Sequence, residues 1–416
     1  MKTLLYFEEY ISPLSLRLAQ RNDINVLKIR AVKTMTKYFT DEELRESNVY
    51  YFDTENDFEM EIHKLKNWLE HKEITLDYFL NDSEYYMESS NKIAKSLDLE
   101  ALADEQITWV RDKVDMKDKF NEIGLSTVQY EAIESKKDIV DFFLKNNCKP
   151  IIFKPRRGMN SINVYKIETL EDIDNLDIEI KPNKYMVEEF CYDHEWSIES
   201  LVQNGKVLDS YVTYIPNATI WASISNDLNC HMTVPKIPSY FKFVPKDFIQ
   251  CIVSGMKLKD GAMTIEVFIS EDGNVKASEL GWRLPGCQAT LNHSYSYGIN
   301  MYDLLLDIAI HKPVSLEYRN PIISVGDLYL PNKEGIIEKV TPLEDLLQMD
   351  GVINGEMFAT VGQYQKKRRV GNDASGWVQV MGTNEVETLQ KMQAIYNRFE
   401  IKTSMEMEGR KYVKKN

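Results

Sequence analysis

The residues best suited to chemistry fall into a few groups in the middle of a 416-residue chain. Lys113 stands at a helix start in Arg111-Asp112-Lys113-Val114. Lys154 ends an apolar strand and runs through Pro155-Arg156-Arg157 into Gly158-Met159-Asn160-Ser161. A strand lysine beside a flexible Gly/Ser loop suits a polyphosphate, because the ammonium meets charge and the loop amides donate hydrogen bonds. The loop lacks the Gly-x-x-x-x-Gly-Lys-Ser/Thr spacing of a P-loop. Next comes Met186-Val187-Glu188-Glu189-Phe190-Cys191, with Glu195 following. Here backbone groups near Glu188 and Cys191 would face an adenine edge, and a carboxylate would accept bonds from ribose hydroxyls. Finally, Glu266 and Glu279 lie on two strands joined by a tight turn, with Arg283 four residues on. Two converging carboxylates suit Mg²⁺ shared with phosphates, and no His or Cys stands at zinc-ligand spacing. The arginine fork would point at a carboxylate or phosphate. Each group also has an ordinary reading: a surface lysine beside a turn, or acids on a solvated hairpin.

These side chains need elements to hold them. Leu4 to Phe7 and Asn25 to Ile29 read as strands around a helix at Pro13 to Gln20. Phe58 to His71 reads as a helix and Thr75 to Leu80 as a strand, so the first hundred residues suggest an open parallel α/β unit. Its first turn, Glu8-Glu9-Tyr10, lacks the glycines of a dinucleotide fingerprint. From Trp109 the texture changes. A Lys-rich helix over Asp112 to Ile123 ends at Gly124, and hairpins are expected over Asn204-Gly205 and Glu271-Asp272-Gly273. Past Pro313 the pattern suggests a smaller α+β unit, with strands near Val325 to Leu330, Ile336 to Val340, Phe358 to Gly362 and Trp377 to Met381, and a closing helix from Glu385. The expected division is residues 1–108, 109–312 and 313–416.

A hydrophobic fraction of 43% excludes a disordered or fibrous chain. The net charge of −15 speaks against a nucleic-acid or anionic-membrane binder. No apolar run is long enough for a membrane span or a signal peptide. The five cysteines contain no CxxC pair and read as reduced thiols of a cytoplasmic protein.

Taken in order, Lys113, Lys154 with its loop, Glu188 to Glu195, then Glu266, Glu279 and Arg283 resemble the ATP-grasp superfamily. The resemblance implies ATP bound between two lobes, with an α/β domain before them and a small α+β domain after. It implies transfer of the γ-phosphoryl group to a carboxylate and displacement of phosphate by a nucleophile. Carried over by position, Lys113, Lys154, Gly158, Ser161, Glu188, Glu189, Cys191 and Glu195 would bind ATP. Glu266 and Glu279 would hold Mg²⁺, while Arg283 and Lys154 would serve the transfer itself. Gly281 stands where the family often has a third, Asn ligand. The phosphate loop reads Ser161-Ile162-Asn163-Val164 where the family often has Ser-x-Gly-Val, and Asn tolerates the left-handed backbone that Gly would supply.

His231, in a stretch expected to be a mobile substrate loop, and His293 are further substrate candidates. Trp221 and Tyr295 belong to the same variable stretches. Cys287 has no evident paired base. The layout resembles that of L-amino acid ligases, which implies a small carboxylate and an amine joined into an amide or dipeptide. A carrier-protein phosphopantetheine thiol is the alternative acceptor, for which the basic run Lys366 to Arg369 would serve as a dock. A nucleotide-binding module without ligase activity is a rival of another class. By analogy with related ligases, a homodimer is expected.

Overall fold

A computed structural model describes residues 1–217, 227–317, 323–367 and 373–404. The chain opens with β1 (Thr3–Phe7), β2 (Asn25–Ala31), β3 (Val49–Phe52) and β4 (Tyr78–Asn81), a parallel sheet in the order β3-β2-β1-β4. Every residue of β1 is buried, as a strand covered on both faces requires. The covering helices start where the chain offers caps. Ser12 opens Pro13–Ala19 with a reciprocal capping box, and Asp57 accepts from the Met60 amide to open Phe58–His71. The strand expected at Thr75 begins three residues later.

A second sheet of β5 (Tyr130–Ile133), β6 (Ile151–Pro155), β7 (Tyr165–Ile167) and β8 (Tyr185–Glu189) runs in the order β5-β8-β6-β7. Its pairs are all antiparallel. Ile151 and Phe153 of β6 enter the core beneath the helix Lys136–Lys145, whereas the alternate residues Ile152 and Lys154 reach a cavity on the other side.

The third and largest sheet has eight strands. It contains β9 (His194–Gln203), β10 (Lys206–Tyr214), β11 (Asn229–Thr233), β12 (Gly261–Ile269), β13 (Val275–Gly281) and β14 (Ser324–Tyr329). Beyond these come β15 (Gly335–Val340), β16 (Val352–Met357), β17 (Tyr364–Gln365), β18 (Gly376–Gly382) and β19 (Ile401–Ser404). The large sheet is ordered β13-β12-β9-β10-β11-β14-β18-β16, and β17-β15-β19 form a small one. Both expected hairpins are present. The first turns through Asn204 and Gly205 at φ 52° and 72°, the left-handed pair of a two-residue turn.

Two expectations for the C-terminal part change. The segment from 313 is not a self-contained layer, because β14, β16 and β18 extend the central sheet across β11. No strand forms over Phe358 to Gly362. The amides of Phe358 and Ala359 both donate to the Ser375 carbonyl and the chain turns at Gly362, φ 87°, so the strand lies earlier, at Val352–Met357.

The N-terminal unit is tied to the central sheet by one continuous core. Leu4, Leu14 and Leu18 meet Leu305, Leu306 and Ile308 of the helix Met301–Ala309. Among the described residues no helix is long and apolar enough to cross a membrane.

The β12–β13 turn sets a stability test. Gly273 has φ 82°, and a Cβ there would sit 1.8 Å from the Tyr240 carbonyl oxygen, whereas at Gly205 the nearest atom is 3.5 Å away. Gly205→Ala should cost only the left-handed penalty of ~1–2 kcal/mol. Gly273→Ala must also displace backbone, so its loss in denaturant unfolding should be clearly larger.

Candidate active site

The helix Lys113–Glu122 starts at Asp112, whose carboxylate accepts from the Val114 amide. Asp112 is fixed in turn by Arg156 (2.8 Å) and Arg157 (3.1 Å), which follow β6. The start of this helix and the segment after β6 therefore form one unit. Lys113 and Lys117 are one turn apart on the same face, and both are buried.

The two lysines meet Lys154 in a compact charge cluster. Lys154 Nζ lies 2.6 Å from Glu188 Oε1 and 2.6 Å from Glu279 Oε1. Lys113 Nζ lies 3.3 Å from Glu279 Oε2 and donates to the Gly158 carbonyl. Lys117 Nζ lies 3.2 Å from Glu188 Oε2 and donates to the Ser278 carbonyl. Burial alone would disfavour both carboxylates' charge, but the lysines outweigh it. Glu188 is pulled below the usual range by Lys117 and Lys154, and Glu279 well below it by Lys113 and Lys154. For Lys154, burial is likewise outweighed by Glu188 and Glu279, which push its pKa up.

Glu266 faces Glu279 across the β12–β13 ladder, and its situation is the reverse. Burial raises its pKa well above the ordinary value, and the charges of Glu279 and Glu195 raise it further. A cation at this edge would relieve that repulsion, so the donor set fits a hard divalent ion such as Mg²⁺. Among the described residues no three His, Cys, Asp or Glu side chains form a metal cage. With Gly281 contributing no side-chain ligand, the rest of the shell would have to come from phosphate oxygens or water.

One cavity gathers almost every residue singled out from the sequence. Lys113, Lys154, Gly158, Ser161, Glu188, Glu189, Cys191, Glu195, His231, Glu266, Glu279 and Arg283 all line it. The loop after β6 carries Asn160, Ser161 and Asn163 at φ 55°, 56° and 58°, so Asn163 adopts the left-handed backbone expected of it. Ile152, Phe268 and Leu280 supply apolar lining near Phe190 and Cys191.

Some residues differ from expectation. The Glu188 side chain points into the lysine cluster rather than leaving only its backbone at the site. Arg283 reaches the cavity, but its fork is engaged: Nε and Nη2 bond Glu84 at 2.8 and 2.5 Å, and Nη1 bonds the Leu284 carbonyl. Glu84 also takes Arg111 at 2.8 Å, and the two arginines overcome burial to keep it ionised. His231 lies on strand β11 rather than on a loop, with Nδ1 2.9 Å from the fully buried Asp327. His293 is fully buried and off the cavity lining, bonded to Glu199 and Thr213. Trp221 lies outside the described residues. Tyr295 is exposed on the helix Ala289–Tyr297.

Sequence reasoning missed Lys117, Glu84, Glu199 and Asp327. Lys117 carried a usable signal, its i+4 spacing from Lys113. The others are joined to their partners only by the fold: Glu84 is 199 residues from Arg283, and Asp327 is 96 from His231.

The same stretch of chain resembles known proteins. Residues 147–291 match the model of the ATP-grasp domain, the stretch from just before β6 to the helix after Arg283. Residues 147–291 form an ATP-grasp domain. A solved L-amino acid ligase from Bacillus licheniformis superposes with a TM-score of 0.77 at 18% identity, covering 97% of this chain and 99% of that one. An N5-carboxyaminoimidazole synthase from Aspergillus clavatus, solved with ADP and 5-aminoimidazole ribonucleotide, superposes at 0.68 and 13% identity, covering 95% and 98%. Among curated proteins, an L-arginine-specific L-amino acid ligase of Bacillus subtilis is 22% identical over 269 residues. That match spans 62% of this chain and 63% of the relative's length.

Two tests follow from the cluster. Lys154→Ala leaves Glu188 and Glu279 short of a cation in a buried setting, which should cost ~3–5 kcal/mol of stability. ATP is expected to raise the melting temperature of the wild type, and this rise should be absent in the variant. The second concerns pH. Burial opposes the charged form of His231, but Asp327 outweighs it and raises the pKa. The stability from this pair is therefore full below the unfolded value of about 6.5 and is lost as pH rises through the higher folded value. The stability gap between wild type and His231→Gln, read from urea midpoints, should narrow as pH rises above about 6.5.

Proposed function

We propose that the protein is an ATP-dependent ligase that activates the carboxylate of an amino acid and passes the acyl group to an amine, forming a dipeptide. The observation that carries this reading is the registered pair Glu266 and Glu279 beside Lys113, Lys154 and Lys117, with Arg283 at the same cavity. The polyphosphate requires cations and a metal-holding edge, and a reacting carboxylate requires an arginine next to them. The likeness to L-amino acid ligases supports an amino acid as the acid.

In this account Lys113 and Lys154 bind phosphate oxygens and neutralise the charge that builds up during transfer. Glu266 and Glu279 hold Mg²⁺, which supplies Lewis acidity at the phosphates when bound. The backbone at Glu189 and Cys191 faces the base, and Glu195 accepts from the ribose. Arg283, oriented by Glu84, steadies the carboxylate oxygens as they acquire phosphate.

A carrier-protein thiol as acceptor has no comparable support. Of the basic run, Lys366 and Lys367 are exposed, and Arg368 and Arg369 lie outside the described residues.

The test incubates the protein with ATP, Mg²⁺, pooled amino acids and hydroxylamine, and measures ADP, phosphate and hydroxamate together. Hydroxamate formed in step with ADP and phosphate is expected, and splitting the pool then identifies the acid. Release of AMP and pyrophosphate would rule the reading out. Arg283→Lys keeps the charge but loses the two-pronged geometry. It should lower kcat by ~10²-fold or more, on the scale of removing one transition-state donor, with the KM for ATP nearly unchanged.

A further inference from the structure

The phosphoryl chemistry leaves one carboxylate on the cavity wall without a task. Glu199 is on β9 and only 1% exposed, yet it belongs to the cavity lining. One oxygen accepts from the Ser197 hydroxyl, and the other accepts from Thr213 Oγ1 at 3.0 Å and His293 Nε2 at 2.8 Å. Its one ion-pair partner among the described residues is that imidazole.

His293 sits behind the carboxylate, fully buried and off the cavity lining, with Nε2 turned toward Glu199. Ser197, Thr213 and His293 thus fix the Glu199 carboxylate, and among the described residues no lysine or arginine pairs with it. A ligand ammonium at the cavity would supply that cation.

The sheet register says which group. Across the β9–β12 ladder Ser197 pairs with Glu266 and Glu199 pairs with Thr264, so Glu199 stands one step along the ladder from the metal-holding carboxylate. At about 3.3 Å per residue that step is about 6.6 Å. It leaves room for a carboxylate at the phosphate end with a nitrogen on the adjacent carbon reaching Glu199.

We propose, resting on the ligase reading above, that Glu199 binds the α-ammonium group of the amino acid whose carboxylate is activated. No proton moves at Glu199. The nitrogen stays an ammonium, unable to act as a nucleophile, so the activated acid is read by its charge and its own amine is kept from attacking a second acyl phosphate. The acceptor, which must attack as a neutral amine, is left to another part of the cavity.

The test uses Glu199→Gln, which keeps the shape and removes the charge. The amino acid that the wild type activates fastest is compared with its des-amino counterpart in the hydroxylamine assay. Binding of both acids is also measured by calorimetry with a non-hydrolysable ATP analogue present. The wild type should prefer the amino acid strongly. The variant should lose about 10–100-fold of that preference, the worth of a hydrogen bond to a charged group, through KM and calorimetric affinity. Its affinity for the ATP analogue should stay at the wild-type value, which also reports that it folds. Thr213→Val, which removes one of the three donors, should shift the preference the same way by less. A variant that retains the wild-type preference, or loses activity equally on both acids, overturns the assignment while leaving the ligase reading standing. A wild type that activates no amino acid overturns both.

Discussion

Three ammonium groups and two carboxylates packed within salt-bridge distance, mostly out of water, are the constraint around which this protein is built. Desolvating such charges costs several kcal/mol each, and their mutual attraction repays this only with excellent geometry. Lys154 does so by bridging Glu188 and Glu279 at 2.6 Å, and Lys113 and Lys117 approach the outer oxygens at 3.3 and 3.2 Å. Hydrophobic packing alone would make a more stable core at lower cost, so the cluster is best understood as a site. In the arrangement observed, Glu279 holds the lysines that the proposed polyphosphate would need. Under the proposed function an incoming nucleotide with its metal would exchange partners, with phosphate oxygens taking the lysines and the metal taking Glu279, so that the charges would stay neutralised before and after binding.

Much of the fold can be read as what this cluster demands. The helix bearing Lys113 and Lys117 is capped by Asp112, and Asp112 is fixed by two arginines that follow β6, so the helix start and the loop after β6 are held together. β6 and β8 place Lys154 and Glu188 on the cavity side and Ile151, Phe153 and Val187 in the core. The β12–β13 register sets Glu266 opposite Glu279. The N-terminal sheet contributes through the end of β4, where Glu84 joins Arg111 to Arg283. The C-terminal strands contribute through β14, where Asp327 holds His231 and Asn292. The central sheet runs continuously from the Glu266–Glu279 pair to this second pair, and the segment past 313 packs as part of it.

The sequence showed the parts whose signals are local. A parallel first unit, the Asn204-Gly205 hairpin and the facing glutamates of β12 and β13 each follow from turn chemistry and period. The ordered lysines and glutamates were legible because each stands at a strand end or helix start with characteristic neighbours. What was not legible depends on long-range pairing. Nothing near Arg283 announces Glu84, and nothing near His231 announces Asp327. His293 was read as a pocket residue from its neighbourhood, yet helix Ala289–Tyr297 turns it inward behind Glu199. The misplaced strand at Phe358 arose because exposed apolar residues there copy the pattern of a strand that lies just before them.

The measurement closest to the central claim follows oxygen rather than product. The amino acid that supports turnover would be labelled with ¹⁸O in its carboxylate and incubated with ATP, Mg²⁺ and an acceptor amine, and the released phosphate examined by mass. If the cluster assembles phosphate and carboxylate for direct transfer, one labelled oxygen should appear in inorganic phosphate for each amide formed. Phosphate free of label, or label found in AMP, would contradict the account.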